Sequence, residues 1–123
     1  MILQEQDHQV ARIQAVFGLP EDAPLPRVDR GTLLTYRQHL ESHLRVPFDA
    51  LHAETRPPVR HLVHSVRVLR VLDVEHHVGD GLLCEVQNHR GTKALPLAEV
   101  GVREENPNYQ IVDDYAYWFI NCR

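Results

Sequence analysis

VRVLRVLDVEHHVGDGLLCEVQNHRGTKALPLAEVGV, residues 66–102, decides the fold class. The runs VRVLRVLDV, LLCEV and ALPLAEVGV are rich in β-branched and apolar residues, and EHHVGDG and QNHRGTK between them are polar and contain glycine. Short apolar runs separated by turn residues describe a small antiparallel β-barrel or meander, about the size of an SH3 domain, rather than a helical unit. Gly79, Asp80 and Gly81 predict a turn into a strand over 82–87, and 88–92 a hairpin loop with Gly91 at positive φ. Residues 93–97 and 99–102 continue the sheet. Upstream, Leu62, Val66 and Val68 alternate in a strand predicted over 60–73, with Val71 fitting the alternation less well.

The flanks are helical. Val10, Ile13, Val16 and Phe17 recur at helical spacing over 8–17, and Gly18 and Pro20 end that segment. LPEDAPLP, residues 19–26, reads as an extended, proline-rich linker. Asp29 is placed to N-cap a second helix carrying Leu33, Tyr36, Leu40 and Leu44 on one face, ended by Pro47. Residues 48–53 form a strand, which Arg56-Pro57-Pro58 separates from the main β region. Tyr115, Trp118 and Phe119 predict a short C-terminal helix over 113–121, with Asp113 or Asp114 in its first turn, favoured by the macrodipole. The expectation is a single α+β domain over 1–123: an N-terminal helix (1–18), a linker (19–28) and a β-rich core with flanking helices (29–123).

At 123 residues, with 43% hydrophobic and 24% charged side chains, the chain can bury a core without disulfides. Its net charge of −4 argues against general nucleic-acid binding. The opening MILQEQDHQ has no basic region followed by an apolar run, so no signal peptide or membrane span is expected. Cys84 and Cys122, far apart in sequence, fit reduced thiols in the cytoplasm.

Chemistry is carried by carboxylates. Asp73, Glu75 and Asp80 sit on one predicted turn, Glu99 near a strand end, and Glu104, Glu105, Asp113 and Asp114 around the entrance to the last helix. Carboxylates gathered on loops are suited to a hard cation, which takes six to eight oxygens, and an ion would relieve about 1 kcal/mol of repulsion per close pair. The bland reading is solvated loop charge with a helix-capping aspartate. Nine histidines invite Zn²⁺. His39 and His43 share a helix face, but HLESH is not HExxH, His61 and His64 point to opposite strand faces, and His76-His77 are adjacent. Surface histidines are the plainer account. No signature marks either cysteine as a nucleophile, GDG is only a turn, and the C-terminal aromatics suit a core contact, so no enzyme is expected. A small-barrel interaction domain for a protein or nucleic-acid partner is the alternative. Its face would use Arg60 and Arg70, with Arg67 opposite unless a bulge intervenes.

Four segments in order, TYRQHLESHLRVPFDA (35–50), GLLCEV (81–86), LPLAEV (95–100) and NYQIVDDYAYWF (108–119), resemble the cyanobacterial-type, CcbP-like calcium-binding proteins. The resemblance covers roughly 31–121. It implies Ca²⁺ binding through acidic turns on a small β-rich domain, as a buffer or sensor, without specifying the ligands. The EF-hand pattern is absent from the sequence, and the 75–80 turn carries His76 and His77 in place of oxygen donors.

Overall fold

A computed structural model describes residues 5–54, 62–74 and 79–123. Asp29 opens the second helix with a full capping box: its side chain accepts from the Thr32 amide at 2.8 Å, and its own amide donates to Thr32 Oγ1 at 2.9 Å. That pairing satisfies two backbone groups a helix start otherwise leaves orphaned. The helix, α2 (Arg30–His43), buries Leu33, Tyr36 and Leu40, the face the spacing predicts. Before it comes α1 (Glu5–Val16), ended at Gly18 with φ 65°.

The strands are β1 (Phe48–Glu54), β2 (Leu62–Val71), β3 (Leu83–Asn88), β4 (Gly91–Pro96) and the two-residue β5 (Val100–Gly101). They lie in the order β4-β3-β2-β1-β5, with every pair antiparallel. The meander is therefore present, whereas the barrel is not closed: among the described residues no ladder joins β4 to β5. Chain geometry nevertheless curls the sheet. Pro96 pairs on one edge and Val100 on the other, joined by a single 3₁₀ turn, Leu97–Glu99. Four residues span at most about 14 Å, so the two edges approach one another there.

Register explains the imperfect alternation around Val71. Val68 faces Val86, but Arg70 faces Glu85, so the ladder slips by one residue between them. The extra residue resets the side-chain period, leaving Val66, Val68 and Val71 buried and both Arg67 and Arg70 exposed. Each arginine has an acidic neighbour, Arg70 with Glu85 at 3.4 Å and Arg67 with Asp49 at 3.8 Å, so they do not make a bare basic stripe. Arg60, the third arginine of that expected face, lies outside the described residues.

Three further expectations change. The last helix, α3, runs Tyr109–Cys122, so it starts four residues early and holds neither Asp113 nor Asp114 in its first turn. Val112 belongs to its buried face with Tyr115 and Phe119, which draws the earlier turn onto the core. Asn108 stands at the N-cap position without capping; it is buried and brackets Arg45, accepting from the Arg45 amide at 2.8 Å and donating to its carbonyl at 3.1 Å. Glu99 sits in the 3₁₀ turn rather than in a strand. The proline-rich stretch is a fastened strap rather than a loose linker. Gln14 Nε2 donates to the Glu21 and Ala23 carbonyls, Trp118 Nε1 to the Pro26 carbonyl, and the Val28 amide to the Cys122 carbonyl, each at 2.9 Å.

The core lies between the inner sheet face and the helices. Tyr36 stacks on Trp118 at 4.9 Å between ring centres and meets Tyr115 edge-on at 5.2 Å, and Phe17 packs on Trp118 at 5.3 Å. Such pairs add about 0.5–1.5 kcal/mol each beyond their buried area. Cys84 is fully buried, and burial pushes its thiol up to about 12. Burial also raises the Tyr36 and Tyr115 phenols. An unfolded thiol ionises at about 8.5, so above that pH the unfolded chain loses a proton the folded one keeps, and stability falls as pH rises, by up to about 1.4 kcal/mol per unit. Urea unfolding should accordingly show a loss of about 3 kcal/mol between pH 8 and 10.5, with a flatter profile for Cys84→Val. A pH-independent midpoint would contradict the buried thiol.

Candidate metal site

The connection between β2 and β3 holds three of the predicted carboxylates, two of them among the described residues, and is fixed at both ends. The Leu72 amide donates to the Leu83 carbonyl at 2.8 Å, closing its base. From α2, Arg37 Nε donates to the Leu72 carbonyl at 2.9 Å, and its Nη2 pairs with Asp73 Oδ1 at 3.0 Å and reaches the Val71 carbonyl at 3.4 Å. Arg30 Nη1 reaches the Val74 carbonyl at 3.3 Å. At the far end Gly81 takes φ 68°, and a Cβ there would stand 2.5 Å from Tyr115 Oη and 2.6 Å from Phe119. That close approach lets the Leu82 amide donate to Tyr115 Oη at 2.7 Å inside the core. Asp73 and Asp80 are both exposed on this fixed base. Glu75, His76 and His77, between them in sequence, lie outside the described residues.

The remaining carboxylates fall elsewhere. Asp114 is buried at the α1–α3 contact, where Arg12 grips it through Nε at 2.8 Å and Nη2 at 3.0 Å, and Gln9 Nε2 donates to it at 3.0 Å. Gln9 Nε2 also donates to the exposed Asp113 at 2.9 Å. Asp113 borders a pocket of about 220 Å³ shared with Ala98, Val100, Val102 and Tyr109. Glu99, Glu104 and Glu105 are exposed. Among the described residues no three histidine, cysteine, aspartate or glutamate side chains come together as a set able to hold an ion. Against the needs of Ca²⁺, the β2–β3 connection therefore has the right donor chemistry, carboxylate oxygen, while its described side chains fall short of six oxygens.

Arg37 and Arg30 are site residues that sequence reasoning missed. A helix surface with Arg37 and Glu41 at i, i+4 looks like a solvated ion pair, and that pair is present at 2.9 Å. Nothing in the spacing shows that the same guanidinium reaches across to residues 71–73. Arg12 was hidden in the same way.

Open-sheet topology, helical flanks and an acidic connection held on α2 and α3 define a small α+β protein with a surface loop of carboxylates. Residues 29–119 match the CcbP calcium-binding family, well over half of the chain, and the protein belongs to that family. Among solved structures, the crystal structure of Anabaena CcbP superposes with a TM-score of 0.67, covering 95% of this chain and 92% of that one at 16% sequence identity. At that identity the likeness speaks for the fold. Its coverage leaves too few residues unmatched to exclude both α1 and the strap, so the shared fold extends upstream of the family match. No curated protein matches the sequence.

Gly81→Ala should destabilise the protein by about 2–4 kcal/mol, combining left-handed strain with overpacking against Tyr115 and Phe119. A melting curve should show Tm lowered by roughly 10 °C. An unchanged Tm would mean that the connection is not seated on α3.

Proposed function

We propose that this protein is a non-catalytic Ca²⁺ binder, a buffer or sensor, that uses carboxylates of the β2–β3 connection instead of an EF-hand. Asp73 and Asp80 are the assigned ligands, joined by Glu75. The observation carrying this reading is the double anchorage of the connection: Arg37 fastens one end, Tyr115 and Gly81 the other, and both aspartates stay exposed. A fixed base lowers the ordering cost of gathering oxygens around an ion. Family membership supports the choice of Ca²⁺.

Arg37 sets the terms of binding. It already gives Asp73 a cationic partner at 3.0 Å, so an ion at Asp73 competes with a guanidinium. Asp114 is assigned to the α1–α3 contact, because its oxygens are taken by Arg12 and Gln9. Glu99 and Asp113 are exposed away from the connection, and Asp113 accepts from Gln9. The free thiols Cys84 and Cys122 suit a reducing compartment, which supports a cytoplasmic location. No described helix is long and apolar enough to cross a membrane.

The test is a thermal melt of metal-free protein with Ca²⁺, Mg²⁺ or Zn²⁺. At a hundred times Kd, bound Ca²⁺ adds about 2.7 kcal/mol, a shift of several degrees. The shift should be larger with Ca²⁺ than with Mg²⁺ and should vanish in Asp73→Asn/Asp80→Asn. Asp114→Asn should lower the starting Tm and keep the shift. Persistence of the full Ca²⁺ shift in the double variant, or no shift in the wild type, would refute the assignment.

A further inference from the structure

The C-terminal end of α2 carries a pair of imidazoles that the calcium reading does not use. His39 and His43 are one helical turn apart, and their rings lie nearly parallel, 27° between planes and 4.3 Å between centres. His43 Nδ1 is 2.8 Å from the His39 carbonyl oxygen. A carbonyl only accepts, so Nδ1 carries the hydrogen, and Nε2 of His43 is the nitrogen with a lone pair. Orientation of one ring nitrogen by a carbonyl, leaving the other to coordinate, is the usual support for a metal-binding histidine.

We propose that His39 and His43 form a binding site for a borderline-soft divalent ion, Cu²⁺ in preference to Zn²⁺, separate from the carboxylate connection. Two metal–nitrogen bonds of about 2.0–2.1 Å place the nitrogens about 2.8–3.4 Å apart at angles between square-planar and tetrahedral. The ring centres are 4.3 Å apart, so an ion shared by the two imidazoles requires the rings to turn about their side-chain torsions until the nitrogens converge. The rings differ in setting: His39 is half-buried and meets Tyr36 edge-on at 6.0 Å, whereas His43 is exposed. The site is therefore open on the His43 side, and water can complete the coordination. Burial, then the neighbouring His43, lowers the pKa of His39 from its ordinary value, against the opposing pull of Asp114. Imidazole nitrogens bind Ca²⁺ poorly and Cu²⁺ well, so donor chemistry separates the two sites.

The experiment is a Cu²⁺ titration of the full chain at pH 7.5, read by electron paramagnetic resonance and calorimetry. One Cu²⁺ should show coupling to two nitrogens and should survive excess Ca²⁺. His43→Gln, at an exposed position, should weaken this binding at least tenfold while the far-ultraviolet circular dichroism is unchanged. His39→Gln should do the same, and His89→Gln, exposed on the β3–β4 turn, should not. If the His39→Gln/His43→Gln double variant binds Cu²⁺ within twofold of the wild type with the same spectrum, or if His89→Gln alone removes the signal, the site is elsewhere and the proposal fails.

Discussion

The stacking of Tyr36 on Trp118, with Tyr115 and Phe17 against them, is the contact on which the rest of the molecule rests. The four rings come from three pieces of chain, Phe17 after α1, Tyr36 on α2 and the other two on α3, so the cluster joins segments that the sheet alone would leave apart. The polar tips of these rings then act at the edge of the core. Trp118 Nε1 fixes the strap at Pro26, and Tyr115 Oη receives the Leu82 amide at the end of the acidic connection. An aromatic side chain with an apolar body and one polar atom can fill the interior and still position a surface segment. Here the same rings do both.

Charge is distributed on a different logic. The carboxylates that look alike in sequence divide by partner: Asp114 is enclosed by Arg12 and Gln9, Asp73 is shared with Arg37, and Asp80 is exposed on the turn. Removing one partner of the Arg12–Asp114 pair leaves a buried group without its counterpart, so this pair orients α1 on α3 more than it adds net stability. The Asp73–Arg37 pair is almost wholly exposed on the aspartate side, where such a contact contributes little, at most about 1 kcal/mol. It can therefore exchange, whereas the buried pair cannot.

Much of the fold was legible because it depends on local chemistry. The Asp29 cap, the breaks at Gly18 and Pro47, the positive φ at Gly91 and the apolar stripe of α2 all follow from properties of single residues and their neighbours. What escaped depends on partners distant in sequence. Residues 19–26 have the composition of a linker, and only the approach of Gln14, Trp118 and Cys122 makes them a strap. The slip between Val68 and Arg70 is a property of the β2–β3 ladder, and β2 alone shows it only as a broken alternation at Val71. Asp114 stands apart from the loop acids for the same reason: sequence displays its charge and conceals the Arg12 that answers it. For the acidic connection, sequence identified the carboxylates of the loop but not the two arginines and the tyrosine that hold it.

The place of α3 in the chain has a consequence for how the molecule is made. The Gln9–Asp113 contact spans 104 residues, and β5 reaches β1 only after the whole meander has been traversed. During synthesis α1 and α2 emerge with apolar faces, and α3, which packs on both, follows every strand. Contacts of such separation are slow to form because the loop they close must be ordered first. Until then the strap has no Trp118 to hold it and Leu82 has no phenol to bond. The fold is thus completed from its far end, and the nascent chain must keep its first two helices from other apolar surfaces until the last one arrives.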